Sequence, residues 1–275
     1  FIEGVHKPME TAAQGSGAPV LKNASSLAMT RVNEVALKGD RQVIEVIDSG
    51  LQTDHDAFAG SMDGVNVRMS QADVEALAAT LPHGKTGSYI NKKIPFVFDY
   101  ADNDPDVLPK SSKDLSHGTH VAAIAAANAA DLQGTAPHAQ IIVAKVAADK
   151  EGSIPDNTVL AALDDAVVIK PDSINLSLGD DAGWGSEAGT VYAEVYKNLA
   201  EAGVSVPGDV SVAGFDDVPM AAYAGPGLTT VRQDFADLGR CALDAVSRAL
   251  DGETVDTYVR PTRLVVRGST GVCAR

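Results

Sequence analysis

Two residues in the first half of the chain, Asp48 and His117, have the side chains of an acid–base pair. Asp48 follows a β-branched run at residues 43–47, which predicts a buried strand that stops at the turn Asp48-Ser49-Gly50. His117 begins an Ala-rich stretch that predicts a helix to about residue 128. A carboxylate that accepts one imidazole proton fixes the tautomer, so the other ring nitrogen can take a proton from a nucleophile. Taken alone, Asp48 is better interpreted as a strand-end turn residue and His117 as a helix-start histidine.

The elements that would position this pair alternate between strand and helix. In parallel sheets, functional groups gather at the carboxyl ends of strands, and Asp48 is predicted to lie at such an end. Residue 157 is a candidate helix cap, Pro171 a helix stop and Gly203 a C-terminal cap. The predicted strands are residues 43–47, 94–98, 141–146 and 174–178, and the predicted helices are residues 117–128, 157–169 and 187–202.

The alternation of predicted strands and helices continues toward the C-terminus. Strands are predicted at residues 210–215, 228–232 and 263–266, and a helix between them is closed by Gly252. Strands that alternate with helices predict an α/β fold with a mostly parallel sheet and helices on both faces. The apolar face of that last helix holds Phe235, Leu238, Ala242, Ala245 and Ala249.

Basic residues change type along the chain. Residues 1–200 hold 12 Lys and 3 Arg, whereas residues 201–275 hold no Lys and 7 Arg. The first 40 residues lack strong periodicity apart from a short helical stretch near residues 27–37. We therefore predict an extended arm at residues 1–40, a first segment at 41–203 and a second at 204–275.

Net charge, apolar run length and cysteine spacing argue against several classes of function. A net charge of -15 repels phosphate backbones, so nucleic-acid binding is not expected. No apolar run is long enough for a bilayer span, and the chain begins at Phe1 without the pattern of a secretory signal, as an internal or processed piece would. Cys241 and Cys273 show neither metal-ligand spacing nor a disulfide framework, so no metal and no cofactor are predicted.

Three motifs occur in the order and spacing of a known enzyme family. Together they resemble the subtilisin-like serine proteases, or subtilases, across about residues 20–203, and the stretch from Asp48 to Phe58 is similar to the cell-envelope proteinases of Gram-positive bacteria. The resemblance implies a subtilisin-like three-layer fold, with Asp48 and His117 as triad acid and base. It also implies that Ser177, Leu178 and Gly179 pair with substrate backbone. The motifs are Val46-Ile47-Asp48-Ser49-Gly50, His117-Gly118-Thr119-His120-Val121-Ala122 and Ile174-Asn175-Leu176-Ser177-Leu178-Gly179.

The chain departs from the family pattern after residue 203. The family next has an Asn-bearing strand for the oxyanion hole and later a Gly-Thr-Ser-Met nucleophile stretch, but no Asn follows Asn198 and no such stretch occurs. Ser269 lies in a Gly-flanked turn whose context does not match. We predict a catalytically incomplete subtilisin-like peptidase, without turnover. The alternative is an enzyme, either an active serine endopeptidase completed by an unrecognised Ser or a hydrolase in which His117 activates water directly.

Residues 204–270 resemble a different family. Three motifs in order are similar to the C-terminal end of the sugar-sensing domain of lactose-repressor family regulators, which has a periplasmic-binding-protein-like fold. The resemblance implies that Asp216 contacts an effector; a turn-capping role is the equal alternative. A third hypothesis is therefore a sugar-binding module without a DNA reader. The motifs are residues 206–217, 228–233 and 263–270.

The two resemblances predict a hybrid chain, whether as one composite α/β domain, two separately collapsing pieces or a poorly packed chimera. The expected partners are a peptide substrate or a small polar ligand, with neither nucleic acid nor membrane; the oligomeric state is open. The first segment implies an extracellular or cell-envelope location, and the second a cytoplasmic one.

Overall fold

In the computed structural model the described residues are 27, 32–110, 117–150, 152–178, 205–209, 211–217, 219–223, 227–255 and 260–272. They separate into two compact units. One holds the described residues up to Ala162 together with Asn175–Ser177, and the other holds Leu163–Ile174 together with those from Leu178 onward. Gly179, the helix predicted at residues 187–202 and the predicted seam near residue 204 lie outside the described residues.

A mostly parallel sheet carries the candidate acid. Its strands lie in the order β2-β5-β1-β6, and both β1 and β2 run parallel to β5. All residues of β2 and β5 are buried, as expected of strands that are covered on both faces. The α/β class with a mostly parallel sheet is thus confirmed. The strands up to residue 176 are β1 (Val43–Asp48), β2 (Phe96–Asp99), β3 (Asn128–Ala129), β4 (Leu132–Gln133), β5 (Gln140–Lys145) and β6 (Ser173–Leu176).

Three helices whose bounds lie within the described residues accompany these strands. The helix α1 (Gln71–Ala78) was not predicted, although Ser70 and Asp73 form a capping box at its start. The helices α2 (His117–Ala126) and α3 (Asp156–Ile169) match the predicted segments closely. Lys170, which follows α3 and precedes Pro171, has a left-handed φ of 54°, so the helix ends there as its sequence predicts.

The strand register places the carboxyl ends of β1, β2 and β5 side by side. Asp48 is the Cα partner of Lys145 across β1 and β5, and Asp99 is the partner of the same lysine across β2 and β5. The carboxyl ends of three neighbouring strands therefore form one row, with Asp48 in it.

Small side chains set the distance between α2 and the sheet. Ala122 and Ala126 of α2 are fully buried and belong to the same apolar cluster as Val46 of β1 and Val143 of β5. Since alanine carries a single methyl group, the helix axis can approach the strands closely, which brings the first turn of α2 to the end of β1.

The second unit has a smaller, mixed sheet. Its strands are β7 (Ala213–Phe215), β8 (Thr229–Arg232) and β9 (Arg263–Val265); β7 and β8 are parallel, whereas β8 and β9 are antiparallel. The helix α4 (Phe235–Leu250) is capped at its N-terminus by Asp234, whose side chain accepts a hydrogen bond from the backbone N–H of Asp237. None of its described residues is buried, although its sequence is amphipathic.

Strand limits differ from the prediction for local reasons. The strand predicted from residue 94 begins at Phe96, because the N–H of Ile94 donates to Asn91 Oδ1 and Pro95 has no N–H to give the sheet. The strand predicted from residue 210 pairs only from Ala213, since the N–H of Val212 donates to the Ser269 carbonyl instead. No helix among the described residues has the length and apolarity that a bilayer crossing requires.

Candidate active site

The carboxylate of Asp48 is held at the end of β1. Its side chain is 2% exposed, and its Oδ1 accepts a hydrogen bond of 2.7 Å from the backbone N–H of Ser49. The chain then turns at Gly50, whose φ of 118° lies in a region that side-chain-bearing residues avoid. The N–H of Leu51 closes the turn by donating to the carbonyl of Val107. The turn after β1 thus fixes the direction of the carboxylate.

The imidazole of His117 meets this carboxylate directly. The distance from His117 Nδ1 to Asp48 Oδ1 is 2.8 Å. Because an ionised carboxylate only accepts, Nδ1 carries the proton and Nε2 presents its lone pair. The ring is 28% exposed, so Nε2 is accessible to a reacting group. The structure therefore brings together the two residues that the sequence selected.

Two residues of α2 dock its first turn against the loop after β1. A Cβ at Gly118 would lie 2.2 Å from the carbonyl oxygen of Gly50, so only glycine permits this approach. Gly118 N–H donates to Ser49 Oγ at 3.2 Å, and Thr119 Oγ1 accepts from the N–H of Gln52 at 3.0 Å. In the segment His117-Gly118-Thr119, the side chain of His117 is thus available for chemistry, whereas Gly118 and Thr119 dock the helix against the loop.

No hydroxyl among the described residues hydrogen-bonds Nε2 of His117. Ser269, the late serine in a Gly-flanked turn, is 3% exposed and lies in the second unit. Its Oγ donates to the Val212 carbonyl at 2.6 Å and accepts from the N–H of Thr229 at 2.8 Å. The hydroxyl of Ser269 is therefore used to hold that unit's strands together.

The predicted substrate-binding residues follow β6, the neighbour of β1 in the sheet. Ser177 is exposed, and its Oγ accepts from Asn175 Nδ2 at 2.9 Å; Leu178 is half-buried. Gly179 lies outside the described residues. Within the described part of the sheet β6 is an edge strand, and Ile174 and Leu176 are 39% and 45% exposed. An edge strand has backbone groups available for an extended peptide.

Asp216 follows β7 in a turn with two left-handed residues. Asp216 and Asp217 have φ values of 76° and 50°. Asp216 Oδ1 accepts a hydrogen bond of 2.6 Å from Gln233 Nε2. Burial pulls the pKa of Asp217 upward, but Arg267 and Arg232 outweigh it and lower that pKa. The turn is thus held by its own unit, with Asp216 half-buried at the strand end.

Three aspartates near the strand ends, Asp99, Asp102 and Asp149, have oxygens close enough to one another to ligate a cation. Their centre is taken by Lys145, whose Nζ lies 2.5 Å from Asp99 Oδ2 and 2.9 Å from Asp149 Oδ1. Burial alone would lower the pKa of Lys145, but its hydrogen bonds to these two carboxylates outweigh burial and raise it. The ammonium group therefore serves as the countercharge of this cluster, which the sequence analysis missed.

Two family models match the chain. Residues 39–208 match the Subtilase family, and residues 187–270 match the Periplasmic binding protein-like domain. The expectation that two families contribute is confirmed, and the matches overlap at the predicted seam.

Similar proteins include a PI-type proteinase of Lactococcus lactis subsp. cremoris, 35% identical over 175 residues. A C5a peptidase of Streptococcus pyogenes serotype M3 is 30% identical over 159 residues. The alignments cover 60% and 55% of this chain, but only 9% and 13% of the relatives. The chain thus spans a small part of their length.

Two solved structures are also similar. A cold adapted subtilisin-like serine proteinase has 20% identity and a TM-score of 0.37, with 59% of this chain and 45% of that chain covered. A lanthipeptide protease has 19% identity and a TM-score of 0.40, with 73% and 48% covered.

Proposed function

Because this chain belongs to the subtilase family, we propose that it carries the acid and the base of a serine-peptidase site without the nucleophile, and does not turn over peptides as it stands. The observation that carries the proposal is the 2.8 Å contact between His117 Nδ1 and Asp48 Oδ1. This contact leaves Nε2 as a base with no hydroxyl among the described residues to deprotonate.

The sequence after residue 208 supports the absence of a nucleophile. Residues beyond 208 include neither a Gly-Thr-Ser-Met stretch nor an Asn for an oxyanion hole. The hydroxyl of Ser269 donates a hydrogen bond to the Val212 carbonyl. In a site of this class, removal of the nucleophile lowers kcat by about a million-fold, so the residual rate is close to background.

The same family membership supports a peptide as the partner of the first unit. We propose that an extended peptide adds to the exposed edge of β6 and pairs with Ser177 and Leu178. Gly179, which the resemblance also implies, lies outside the described residues. Peptide binding without cleavage is the expected behaviour of an edge strand beside an incomplete triad.

A serine-directed phosphonate tests the proposal. The chain is incubated with a biotinylated fluorophosphonate, and its intact mass is measured beside that of the H117A variant. We expect no adduct on either protein, and equal background hydrolysis of a fluorogenic casein substrate. A stoichiometric adduct that disappears in H117A would overturn the proposal and establish the active endopeptidase.

A second candidate function concerns Asp216. Its half-buried carboxylate follows a strand end and accepts one hydrogen bond among the described residues, from Gln233, so oxygen lone pairs remain for ligand hydroxyls. We propose that a sugar would bind there. A panel of sugars is tested by thermal shift against D216N, and a flat response from the unaltered chain would contradict this role.

The resemblance to cell-envelope proteinases leads us to propose an extracellular or cell-envelope location for the protein that bears this chain. Fractionation of the source cells, followed by immunodetection of the chain, tests this. Recovery in the cytosolic fraction alone would favour the location that the second segment implies.

A further inference from the structure

We propose that His117 and His120 together bind a divalent transition-metal ion, of the class of Zn²⁺, Ni²⁺ or Cu²⁺. The site would use Nε2 of His117 and a ring nitrogen of His120. This inference goes beyond the proposed function and does not depend on the absence of a nucleophile.

The helix places the two imidazoles on one side. His117 and His120 are three residues apart in α2, and side chains at this spacing are neighbours, with Cβ atoms about 5–6 Å apart. Gly118 and Thr119, which lie between them, face the protein interior and are buried. His117 is partly exposed and His120 is exposed, so both rings are accessible from solvent.

The hydrogen bond from His117 to Asp48 prepares the first ligand. In metal sites, a ligating histidine typically donates its other ring N–H to a carboxylate, which fixes the tautomer and raises the basicity of the ligating nitrogen. Asp48 provides this contact at 2.8 Å, and the Ser49 N–H fixes the same carboxylate oxygen. Imidazole nitrogens suit Zn²⁺, Ni²⁺ and Cu²⁺.

His120 would be the second ligand, since its ring has no hydrogen-bond partner among the described residues. The described residues form no hydrogen bond with its ring, and its exposure lets the side chain rotate toward the ring of His117. Two imidazoles and solvent water then complete the coordination of the ion. The sequence contains the signal, a His at the third position after His117, but the motif drew attention only to the first histidine.

Another histidine, His138, provides a matched comparison for His117. His138 also faces a carboxylate, with Nδ1 3.0 Å from Asp40 Oδ2, and is exposed to a similar degree. The positions three and four residues to either side of it hold Thr135, Gly134, Ile141 and Ile142, none of which supplies an imidazole. His138 lies outside the helices, just before β5, and thus has the carboxylate partner without a histidine at helical spacing.

Calorimetric titration with Ni²⁺ tests the site, on untagged protein first treated with a chelator. We expect one ion per chain, with the affinity lowered at least about tenfold in H120Q and H117Q and unchanged in H138Q. D48N should weaken binding by about 10–100-fold, since Asn cannot supply the negative charge behind Nδ1.

Electron paramagnetic resonance of bound Cu²⁺ gives a second readout. The unaltered chain should show coupling to two imidazole nitrogens and H120Q to one, while circular dichroism checks that the variants are folded. Equal Ni²⁺ affinity of the unaltered chain and H120Q would overturn the site, as would an equal loss in H138Q. A phosphonate adduct would overturn only the proposed function.

Discussion

The imidazole of His117 at the start of α2 donates from Nδ1 to Oδ1 of Asp48 at the end of β1, across 2.8 Å. The contact joins two elements that both depend on the turn after β1. Asp48 is directed by the turn through Gly50, and His117 by the close approach of Gly118 to that turn. The pair should therefore respond to changes that touch neither of its side chains.

Replacement of Gly118 by alanine should break the pair. The new Cβ would meet the Gly50 carbonyl oxygen at 2.2 Å and Asp48 Oδ1 at 3.1 Å, so the first turn of α2 must move away. We expect a loss of about 1–3 kcal/mol in the free energy of unfolding, measured with urea, and loss of the downfield Nδ1 proton signal of His117.

Gly239 provides the control for this change. It lies in the interior of α4, where an added Cβ meets nothing within 4 Å. Gly239→Ala should therefore stabilise the chain by about 1 kcal/mol through helix propensity alone. An intact His117 proton signal in Gly118→Ala would contradict the docking argument.

Lys93 should make stability depend on pH. Its side chain is 2% exposed, its Nζ donates to the carbonyls of Pro137 and Ala139, and burial lowers the pKa of Lys93 to about 7. Between this pKa and the unfolded value of 10.5, the unfolded chain binds more protons than the folded chain. Stability should thus rise with pH from 7 to 10.5, by at most about 1.4 kcal/mol per unit.

The measurement is a series of urea transitions between pH 7 and pH 9.5. Lys93→Met should flatten the slope, whatever its effect on absolute stability, because it removes the buried amine whose pKa is lowered into this range. The neighbouring Lys92 is largely exposed and lies 3.5 Å from Asp63, so Lys92→Met should leave the slope unchanged. The same slope in Lys93→Met as in the unaltered chain would rule out Lys93 as its source.

Lys145 should be essential for folding of the first unit. Lys145→Met would leave Asp99, which is fully buried, and Asp149 without their shared countercharge. We expect a loss of about 3–5 kcal/mol in the free energy of unfolding, since one partner of a buried ion pair is removed. Thermal and urea denaturation followed by circular dichroism measure it.

Lys110→Met is the matched control, because Lys110 also pairs with Asp149 but is 42% exposed. Its loss should change the free energy of unfolding little, because solvent screens an exposed ion pair. Equal losses in the free energy of unfolding from Lys145→Met and Lys110→Met would contradict the importance of burial for the ion pairs of Lys145.

Ser269 should behave as a structural residue. Ser269→Ala removes the donor to the Val212 carbonyl and the acceptor for the Thr229 N–H, both in a buried setting, so a loss of about 1–3 kcal/mol is expected. Ser211, whose hydroxyl accepts a longer bond from the Gly271 N–H at an exposed site, is the control, and Ser211→Ala should change stability little. Phosphonate labelling that Ser269→Ala abolishes would instead identify Ser269 as a nucleophile.

The amino-acid sequence by itself determined the element types around the site and the identity of its two central residues. The β-branched run before Asp48 and the Ala-rich run after His117 are local patterns, and both became the predicted elements, as β1 and α2. The capping box at Ser70 was equally local and was overlooked. Such signals can be read from the chain because backbone propensity, burial pattern and capping act over a few residues.

The tertiary structure alone decided which distant groups meet. Strand order and register set Lys145 among Asp99 and Asp149, although nothing near residue 145 indicates which carboxylates it will face. The same holds for the hydroxyl of Ser269, whose partners come from Val212 and Thr229. Long-range pairing depends on how whole buried surfaces fit together, and no short window of sequence contains that information.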